Sequence, residues 1–145
     1  MNHRILAFGK PALGYAKEGI ALYEKRLKPY APTKIEYLRD CPEPKRTTRH
    51  LEASKSTLRI VLDERGESPT STQFAKRLQK WQLNAHREIT YLIGAADGHT
   101  HTLRSQADMI WALSPLTLQH ELALVVLLEQ LYRAHTILRG EPYHR

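Results

Sequence analysis

The sequence contains a single cysteine, Cys41, and has no long apolar run. One thiol cannot form an internal disulfide or supply a cysteine-rich metal site. No apolar stretch approaches the ~20 residues that cross a bilayer. The first residues, Met1–Leu6, pass directly into a strand-like segment, without the apolar stretch and cleavage site of a secretory signal. From these absences we expect a cytoplasmic protein.

The sequence also lacks several common catalytic and cofactor motifs. Gly94 and Gly98 do not have the spacing of a dinucleotide fingerprint, and no lysine of a phosphate-binding loop follows them. A G-x-S-x-G nucleophile elbow is absent. His99 and His101 are separated by one residue, without a Glu or Cys at a spacing typical of zinc enzymes. We therefore expect no metal site.

Basic residues outnumber acidic ones, and the excess lies entirely in the first part of the chain. The sequence has 22 Lys and Arg against 15 Asp and Glu, for a net charge of +7 with neutral histidine. Residues 1–60 carry 13 basic and six acidic side chains, whereas residues 61–145 carry nine of each. Such an excess favours a polyanionic partner, above all nucleic acid. A basic surface that only confers solubility is the alternative.

The pattern of apolar residues is typical of an α/β protein. Strands are predicted over 3–8, 34–38, 58–62, 88–93 and 109–112. Helices are predicted over 11–27, 49–54, 103–107 and 119–134, and a further helix starts after an N-cap at Thr70 or Ser71. The stretches 41–48 and 63–69 are predicted as a loop and a turn. Strands that alternate with helices predict a mostly parallel sheet sandwiched by helices, in one domain covering 1–145.

Three strand ends are candidates for a ligand site, because open parallel sheets bind ligands at the carboxyl ends of their strands. They are Leu62-Asp63, Gly94–Gly98 and Leu113–Leu118. The last segment is apolar, which predicts a buried loop against which a flat ring such as adenine could lie. An ordinary turn at Gly94–Gly98 and a core-packed connection at Leu113–Leu118 are the alternatives.

The last predicted helix is apolar on almost every side over Leu122–Leu128. A helix of this kind has to be covered on most of its faces. In so short a chain, we expect a second subunit to supply part of that cover.

Several segments occur in an order and spacing found together in one family. They are Phe8-Gly9-Lys10, Gly19 with Tyr23, Lys25, Arg26 and Leu27, Leu62–Gly66, Phe74-Ala75, Tyr91–Gly94, Trp111–Leu118 with His120, Leu128–Ala134, and Pro142–Arg145. On these segments, which span nearly the whole chain, the sequence resembles the small SPOUT-class methyltransferases of the ribosomal RNA large subunit methyltransferase H type.

The resemblance implies a fold with a C-terminal trefoil knot, a homodimer, and S-adenosylmethionine bound in the knot. It also implies methyl transfer to N3 of a pseudouridine in 23S ribosomal RNA. Carried over by position, the cofactor contacts are Leu62, Gly94, Leu113, Ser114, Pro115, Leu116, Thr117 and Leu118. These positions coincide with the three strand ends. The segment Gly94–Gly98, here called the glycine loop, departs from the family pattern at Ala95-Ala96-Asp97, and Gln119 replaces the family's proline before His120.

Four residues are candidates for the chemistry, because the proton on N3 must leave and the developing anion needs stabilisation. They are His120, Tyr143, His144 and Arg145, the last three supplied by the partner subunit in one arrangement. Alternatively, His120 caps the last helix and the tail only grips phosphate. From the position of the excess charge, we expect Lys10, Lys25, Arg26 and Lys28 to hold phosphate. Arg26 could instead be an ion-pair partner within the first helix.

Two other functions compete with this one. A related methyltransferase acting on transfer RNA would have the same cofactor site, and a non-catalytic ribosome-binding module is favoured by the altered glycine loop. Binding of S-adenosylmethionine distinguishes the module from the enzymes, and methylation assays distinguish the two enzymes.

Overall fold

The architecture is given by a computed structural model. It describes residues 1–95 and 97–145, which form five strands and five helices. In chain order these are β1 (Asn2–Phe8), α1 (Gly14–Leu27), β2 (Thr33–Leu38), α2 (Lys45–Ala53), β3 (Leu58–Glu67), α3 (Ser71–Leu83), β4 (Glu88–Ile93), α4 (His101–Ser105), β5 (Met109–Trp111) and α5 (His120–Leu138). Ala96, one of the departures in the glycine loop, lies outside the described residues.

The five strands form one sheet in the order β2-β1-β4-β3-β5, and every pair of neighbours is parallel. Ile5 of β1 lies opposite Tyr91 of β4, and Ile60 of β3 lies between Tyr91 and Met109 of β5. Parallel neighbours need crossover connections, which place helices on both faces of the sheet. The predicted α/β fold is confirmed, while the trefoil knot stays a prediction.

Alternate strand residues build a core on each face of the sheet, since successive side chains point in opposite directions. On one face, Ile5 and Tyr91 are fully buried in the core that also includes residues of α1, α3 and α5. On the other face, Leu6 and Leu92 pack with Leu103 of α4. Helix α5 packs against both α1 and α3. Most of its apolar surface is therefore covered by its own chain.

Strand β3 continues beyond its predicted end at residue 62. The stretch 63–69 is predicted as a turn, but Asp63–Glu67 extend the strand, and Glu67 is paired with Trp111 of β5 after a register shift. The prediction is wrong here because the segment is polar. Its backbone partner lies far along the chain, where no local pattern records it.

Other differences concern the ends of helices. Helix α2 begins at Lys45, so that half of the predicted loop 41–48 is helical, and α5 continues to Leu138. Helix α3 has the predicted N-cap at Thr70, whose hydroxyl oxygen accepts a hydrogen bond from the Gln73 amide at 3.1 Å. Among the described residues, no helix combines the length and apolar character that a membrane crossing needs.

Gly66 allows the second half of β3 to lie directly against β5. A Cβ atom added at Gly66 would lie 2.4 Å from the carbonyl oxygen of Ile110 and 2.8 Å from its Cγ2. The backbone of a paired strand cannot withdraw from such a contact without disturbing its hydrogen bonds. Gly66 is therefore required by the close approach of two strands.

We predict that Gly66→Ala lowers the free energy of unfolding by about 1–3 kcal/mol, the usual cost of overpacking a tight site. Gly14→Ala is the matched control, because in the described part of the chain no atom outside the neighbouring helix backbone lies within 4 Å of a Cβ atom at Gly14. The control should keep the wild-type stability or gain slightly from better helix propensity. Urea denaturation followed by circular dichroism measures both variants. Equal midpoints for Gly66→Ala and the wild type would contradict the prediction.

Candidate active site

A pocket of about 390 Å³ opens at the carboxyl ends of β3, β4 and β5. The structure thus brings the three predicted strand ends together around one cavity. Of the eight predicted cofactor contacts, Pro115 is exposed and does not line the pocket. The seven that do are Leu62, Gly94, Leu113, Ser114, Leu116, Thr117 and Leu118.

The apolar segment Leu113–Leu118 forms one wall of the pocket, and it is less buried than predicted. Leu113 and Leu118 are half-buried, whereas Leu116 is 71% exposed. The expectation of a buried loop is wrong because these side chains border an open cavity instead of the packed core. An apolar wall of this kind is suited to a flat, apolar ligand surface.

Hydrogen bonds to polar neighbours hold this wall in place. The Leu116 amide donates to Oγ of Ser114 at 3.0 Å, and the Thr117 hydroxyl donates to the Glu64 carboxylate. Ser68, just beyond β3, donates to the carbonyl oxygen of Ala112 at 3.3 Å. The extension of β3 therefore supports the wall as well as pairing with β5.

The charged side chains around the pocket are mostly acidic. Asp63, Glu64 and Asp97 line it together with Arg65. Three negative charges and one positive charge leave −2 among the described lining residues, in a protein whose net charge is +7. The Asp63 side chain is only 8% exposed, with one oxygen 3.8 Å from Nη1 of Arg104. Arg104 beside Asp63 and Arg46 beside Asp97 offset part of this negative charge, so the pocket is weakly acidic, which suits a cationic ligand better than an anionic one.

The predicted strand ends included Asp63 and Asp97, but sequence reasoning missed Glu64. The signal was present, because Glu64 follows Leu62-Asp63 at the end of a buried strand. Interpreting the segment as a turn concealed the position of Glu64 on the pocket wall.

His99 fills the space beside Gly94. A Cβ atom added at Gly94 would lie 3.2 Å from Nε2 of His99 and 3.3 Å from the carbonyl carbon of Gly98. Nε2 of His99 lies 3.1 Å from the carbonyl oxygen of Leu92, which requires a proton on that nitrogen. Burial lowers the pKa of His99, so its ring is neutral near pH 7. Close packing against His99 and Gly98 therefore favours glycine at position 94, independently of any ligand.

His50 of α2 lies behind this loop in an apolar position. Its ring centroid is 4.6 Å from that of Phe8 and 5.6 Å from that of His99. Among the described residues, Nε2 of His50 is buried without a hydrogen-bond partner. The pKa of His50 is lowered to about 3, mainly by burial and further by the nearby His99 and Arg46. The back of the site therefore contains a second neutral histidine.

His120 begins α5 and lines the pocket, as its predicted role requires. The alternative, that His120 caps the helix, is wrong. Gln119 is the N-cap, and its side-chain oxygen accepts hydrogen bonds from the amides of Glu121 at 2.9 Å and Leu122 at 3.1 Å. The His120 ring is left at the pocket, where Nδ1 lies 3.3 Å from Nε2 of Gln119.

The C-terminal tail lies away from the pocket of its own chain. Tyr143 donates a hydrogen bond to Glu129 at 3.0 Å, and Nδ1 of His144 lies 3.1 Å from Nη1 of Arg133. Burial and hydrogen bonds raise the pKa of the Tyr143 phenol. Glu129 is about 13 Å along α5 from His120, given the helical rise per residue. Within one chain, the structure therefore does not bring the four candidate catalytic residues together.

The four predicted phosphate-binding residues lie at opposite ends of the strands. Lys10 follows the carboxyl end of β1, on the side that carries the pocket, whereas Lys25, Arg26 and Lys28 lie at the C-terminal end of α1, on the other side. The guanidinium carbon of Arg26 lies 5.6 Å from the ring centroids of both Tyr23 and Tyr132. Among the described residues, Arg26 thus contacts aromatic rings and forms no ion pair, which argues against the ion-pair alternative.

The fold and the pocket define an α/β protein with a ligand site at the carboxyl edge of a parallel sheet. A family model described as "Predicted SPOUT methyltransferase" matches residues 1–144. The chain belongs to this family of methyltransferases, which confirms the family predicted from the sequence.

Relatives named "Ribosomal RNA large subunit methyltransferase H" are similar over the full length. The protein of Thermus thermophilus is 41% identical over 145 residues, covering 100% of this chain and 99% of the relative. That of Deinococcus radiodurans is 40% identical with the same coverage. A relative from Synechococcus sp. is 43% identical over 143 residues, covering 98% of this chain and 93% of its own.

The fold also occurs in a solved structure of low sequence identity. A "probable methylase family protein" from Haemophilus influenzae superposes with a TM-score of 0.61 at 11% identity. The match covers 99% of this chain and 70% of the other. At this identity the similarity concerns the fold alone.

We predict that lowering the pH from about 7 to about 5 reduces the free energy of unfolding, in part through His50. Its folded pKa of about 3 lies below the ordinary value of 6.5, so the unfolded chain takes up a proton that the folded chain does not. This contribution is complete above pH 6.5 and decreases toward pH 3, by about 1.4 kcal/mol per pH unit. His50→Met should make the slope shallower.

His101→Gln is the matched control, because His101 is exposed on α4 and should leave the slope unchanged. Urea titrations at several pH values measure all three proteins. A folded His50→Met variant with the full wild-type slope would show that His50 is not buried in its neutral form.

Proposed function

We propose that this protein methylates N3 of a pseudouridine in 23S ribosomal RNA. S-adenosylmethionine is the methyl donor, and one SPOUT-type domain acts in the cytoplasm. The observation that carries the proposal is the pocket, which is lined by seven of the eight predicted cofactor contacts. Full-length relatives named as ribosomal RNA methyltransferases, 40 and 41% identical to this chain, support the choice of acceptor.

The residues around the pocket fit S-adenosylmethionine. Leu113, Leu116 and Leu118 offer an apolar surface suited to the adenine ring. The carboxylates of Asp63 and Glu64 complement the positive charge of a sulfonium and an ammonium group. When bound, this cofactor supplies a methyl group on a positively charged sulfur.

The chain's own residues must align the acceptor and handle the proton of N3. In-line displacement depends on alignment above all. We assign His120, which lines the pocket, to the acceptor side, as a base or as a donor to the developing anion. Tyr143, His144 and Arg145 close over the target base in the same proposal.

A homodimer would reconcile this assignment with the position of the tail. Because the tail of each chain is held near Glu129, it would serve the pocket of a second subunit.

The surface of α1 offers a second argument for a homodimer, because it exposes large apolar side chains at its start and middle. Leu13, Tyr15 and Leu22 are 40%, 53% and 43% exposed. An apolar face of this kind supports an interface between two copies.

The proposed RNA contacts are consistent with that arrangement. Arg26 and Tyr143 both contact the ring of Tyr132, so the basic end of α1 and the tail share one surface. Lys25, Arg26 and Lys28 would hold phosphate there while the tail meets the target base. Lys10 would hold phosphate beside the pocket.

The acceptor is tested by offering the purified protein labelled S-adenosylmethionine with transfer RNA, free large-subunit RNA or whole ribosomes. We expect label in 23S RNA, at a pseudouridine located by mass spectrometry. Preferred labelling of transfer RNA would overturn the acceptor. Absence of both labelling and cofactor binding would favour the non-catalytic module.

We predict that Gly94→Val abolishes binding of S-adenosylmethionine while the fold is retained. A side chain at this position presses on His99 and Gly98 and displaces the loop that forms the pocket wall. Calorimetry measures the affinity, and circular dichroism monitors the fold. Gly14→Val is the control at an uncrowded glycine. Wild-type affinity in a folded Gly94→Val protein would argue against this pocket as the cofactor site.

We predict that deleting His144 and Arg145 reduces turnover far more than affinity for S-adenosylmethionine, because the tail does not line the cofactor pocket.

The proposed dimer has its own test. Sedimentation of the wild type at micromolar concentration should give twice the mass of one 16.7 kDa chain. Mixing the deletion variant with an excess of a Gly94→Val protein should restore activity, since one subunit then supplies the tail and the other the pocket. A monomer, or full turnover without the tail, would contradict a shared site.

A further inference from the structure

The first turn of α2 is tied to the glycine loop by Arg46, whose side chain is mostly covered. Arg46 donates to Asp97 in the pocket wall, and its Nε donates to Oδ1 of Asp40 at 3.0 Å. Its guanidinium carbon lies 5.8 Å from the ring centroid of Phe8. The Arg46 side chain is only 12% exposed, although both carboxylate partners are largely in solvent. The guanidinium is thus held in a fixed position from which it reaches the loop.

A second contact joins the same turn of α2 to the far side of the loop. The Oγ1 atoms of Thr47 and Thr100 lie 2.8 Å apart, and Thr47 also donates to Glu43 at 2.7 Å. Thr100 is the N-cap of α4, and its hydroxyl oxygen accepts a hydrogen bond from the Leu103 amide. Consecutive residues of α2 therefore hold the segment from Asp97 to Thr100 at both of its ends.

The loop has some contacts of its own, since the Gly98 amide donates to the Ala95 carbonyl oxygen at 2.9 Å and the His99 ring lies beside Gly94. Its two glycines add no side-chain contacts, and Gly98 has a φ of 80°. Glycine-rich backbone is conformationally free, and ordering it on binding has a cost in entropy. A contact that fixes the loop beforehand lowers that cost.

We propose that Arg46 is a positioning residue for the cofactor, which orders the glycine loop through Asp97 before the ligand binds. The inference rests on the proposed function, since it takes S-adenosylmethionine as the ligand of the pocket. Arg46 does not line the pocket in the described part of the chain, and it acts through Asp97, which does. Its effect is on affinity and not on the chemical step.

Calorimetry with S-adenosylmethionine on the full-length protein tests the proposal. We expect Arg46→Met to weaken binding roughly three- to tenfold, the range that the net contribution of one ordinary hydrogen bond gives. Asp97→Ala, which removes the same hydrogen bond and also one carboxylate of the pocket wall, should weaken it at least as much. The double variant should be no weaker than Asp97→Ala alone, because Arg46 acts through Asp97. Arg46→Lys, which keeps the charge, should recover part of the loss.

The matched control is Arg49→Met, one turn further along α2. Arg49 donates to the carbonyl oxygen of Arg39 at 2.8 Å, and it forms no hydrogen bond or ion pair with the described residues of the loop. We expect the control to bind the cofactor like the wild type. In methylation assays, Arg46→Met should raise KM for S-adenosylmethionine and keep kcat within about twofold, as expected when only binding is affected.

The outcomes separate this inference from the function on which it rests. If the wild type does not bind S-adenosylmethionine, the proposed function fails. If the wild type binds and a folded Arg46→Met protein binds equally well, the positioning role is overturned. Effects of Arg46→Met and Asp97→Ala that multiply in the double variant would also overturn it, as would a loss confined to kcat.

Discussion

The parallel pairing of β3 with β4 on one side and β5 on the other determines where this protein can bind a ligand. Parallel strands end at the same edge of a sheet, and each crossover returns the chain to the opposite edge. Segments that are distant in sequence therefore meet around one pocket. The pairing is so close that no side chain fits at Gly66 against Ile110. The site thus depends on backbone contact beneath it as much as on the residues that line it.

The same topology explains how far the sequence could predict the structure. The apolar pattern predicted β4 with its observed bounds. In a parallel sheet the carboxyl ends of neighbouring strands lie close together, so the predicted strand ends were expected to meet. Most of the pocket lining followed from that rule. The extension Asp63–Glu67 was not predictable, because its sequence is polar and its partner Trp111 is remote. The contact between Arg46 and Asp97 was hidden for the same reason, since the two residues lie in segments with no shared pattern.

The distribution of charge addresses two needs that conflict in a small protein. A polyanionic acceptor requires positive surface, whereas a sulfonium donor is best held by negative groups. The chain has a net charge of +7, yet the described pocket lining is acidic. Lys25, Arg26 and Lys28 lie at the opposite end of α1 from the pocket edge. In the proposed function, this separation keeps the donor site acidic without weakening the attraction for RNA.

Helix α5 connects the parts that this separation keeps apart. Its first residue, His120, lies in the pocket, and Glu121 accepts hydrogen bonds from the amides that precede α1. Further along, Glu129 holds the tail through Tyr143. Buried side chains such as Leu127 fix the whole helix in the core. Because one rigid helix carries both His120 and the residue that holds the tail, the distance between pocket and tail is fixed within each chain. In the proposed dimer, the tail would therefore reach the second pocket by the relative placement of two such helices, and the interface itself would determine whether the site is complete.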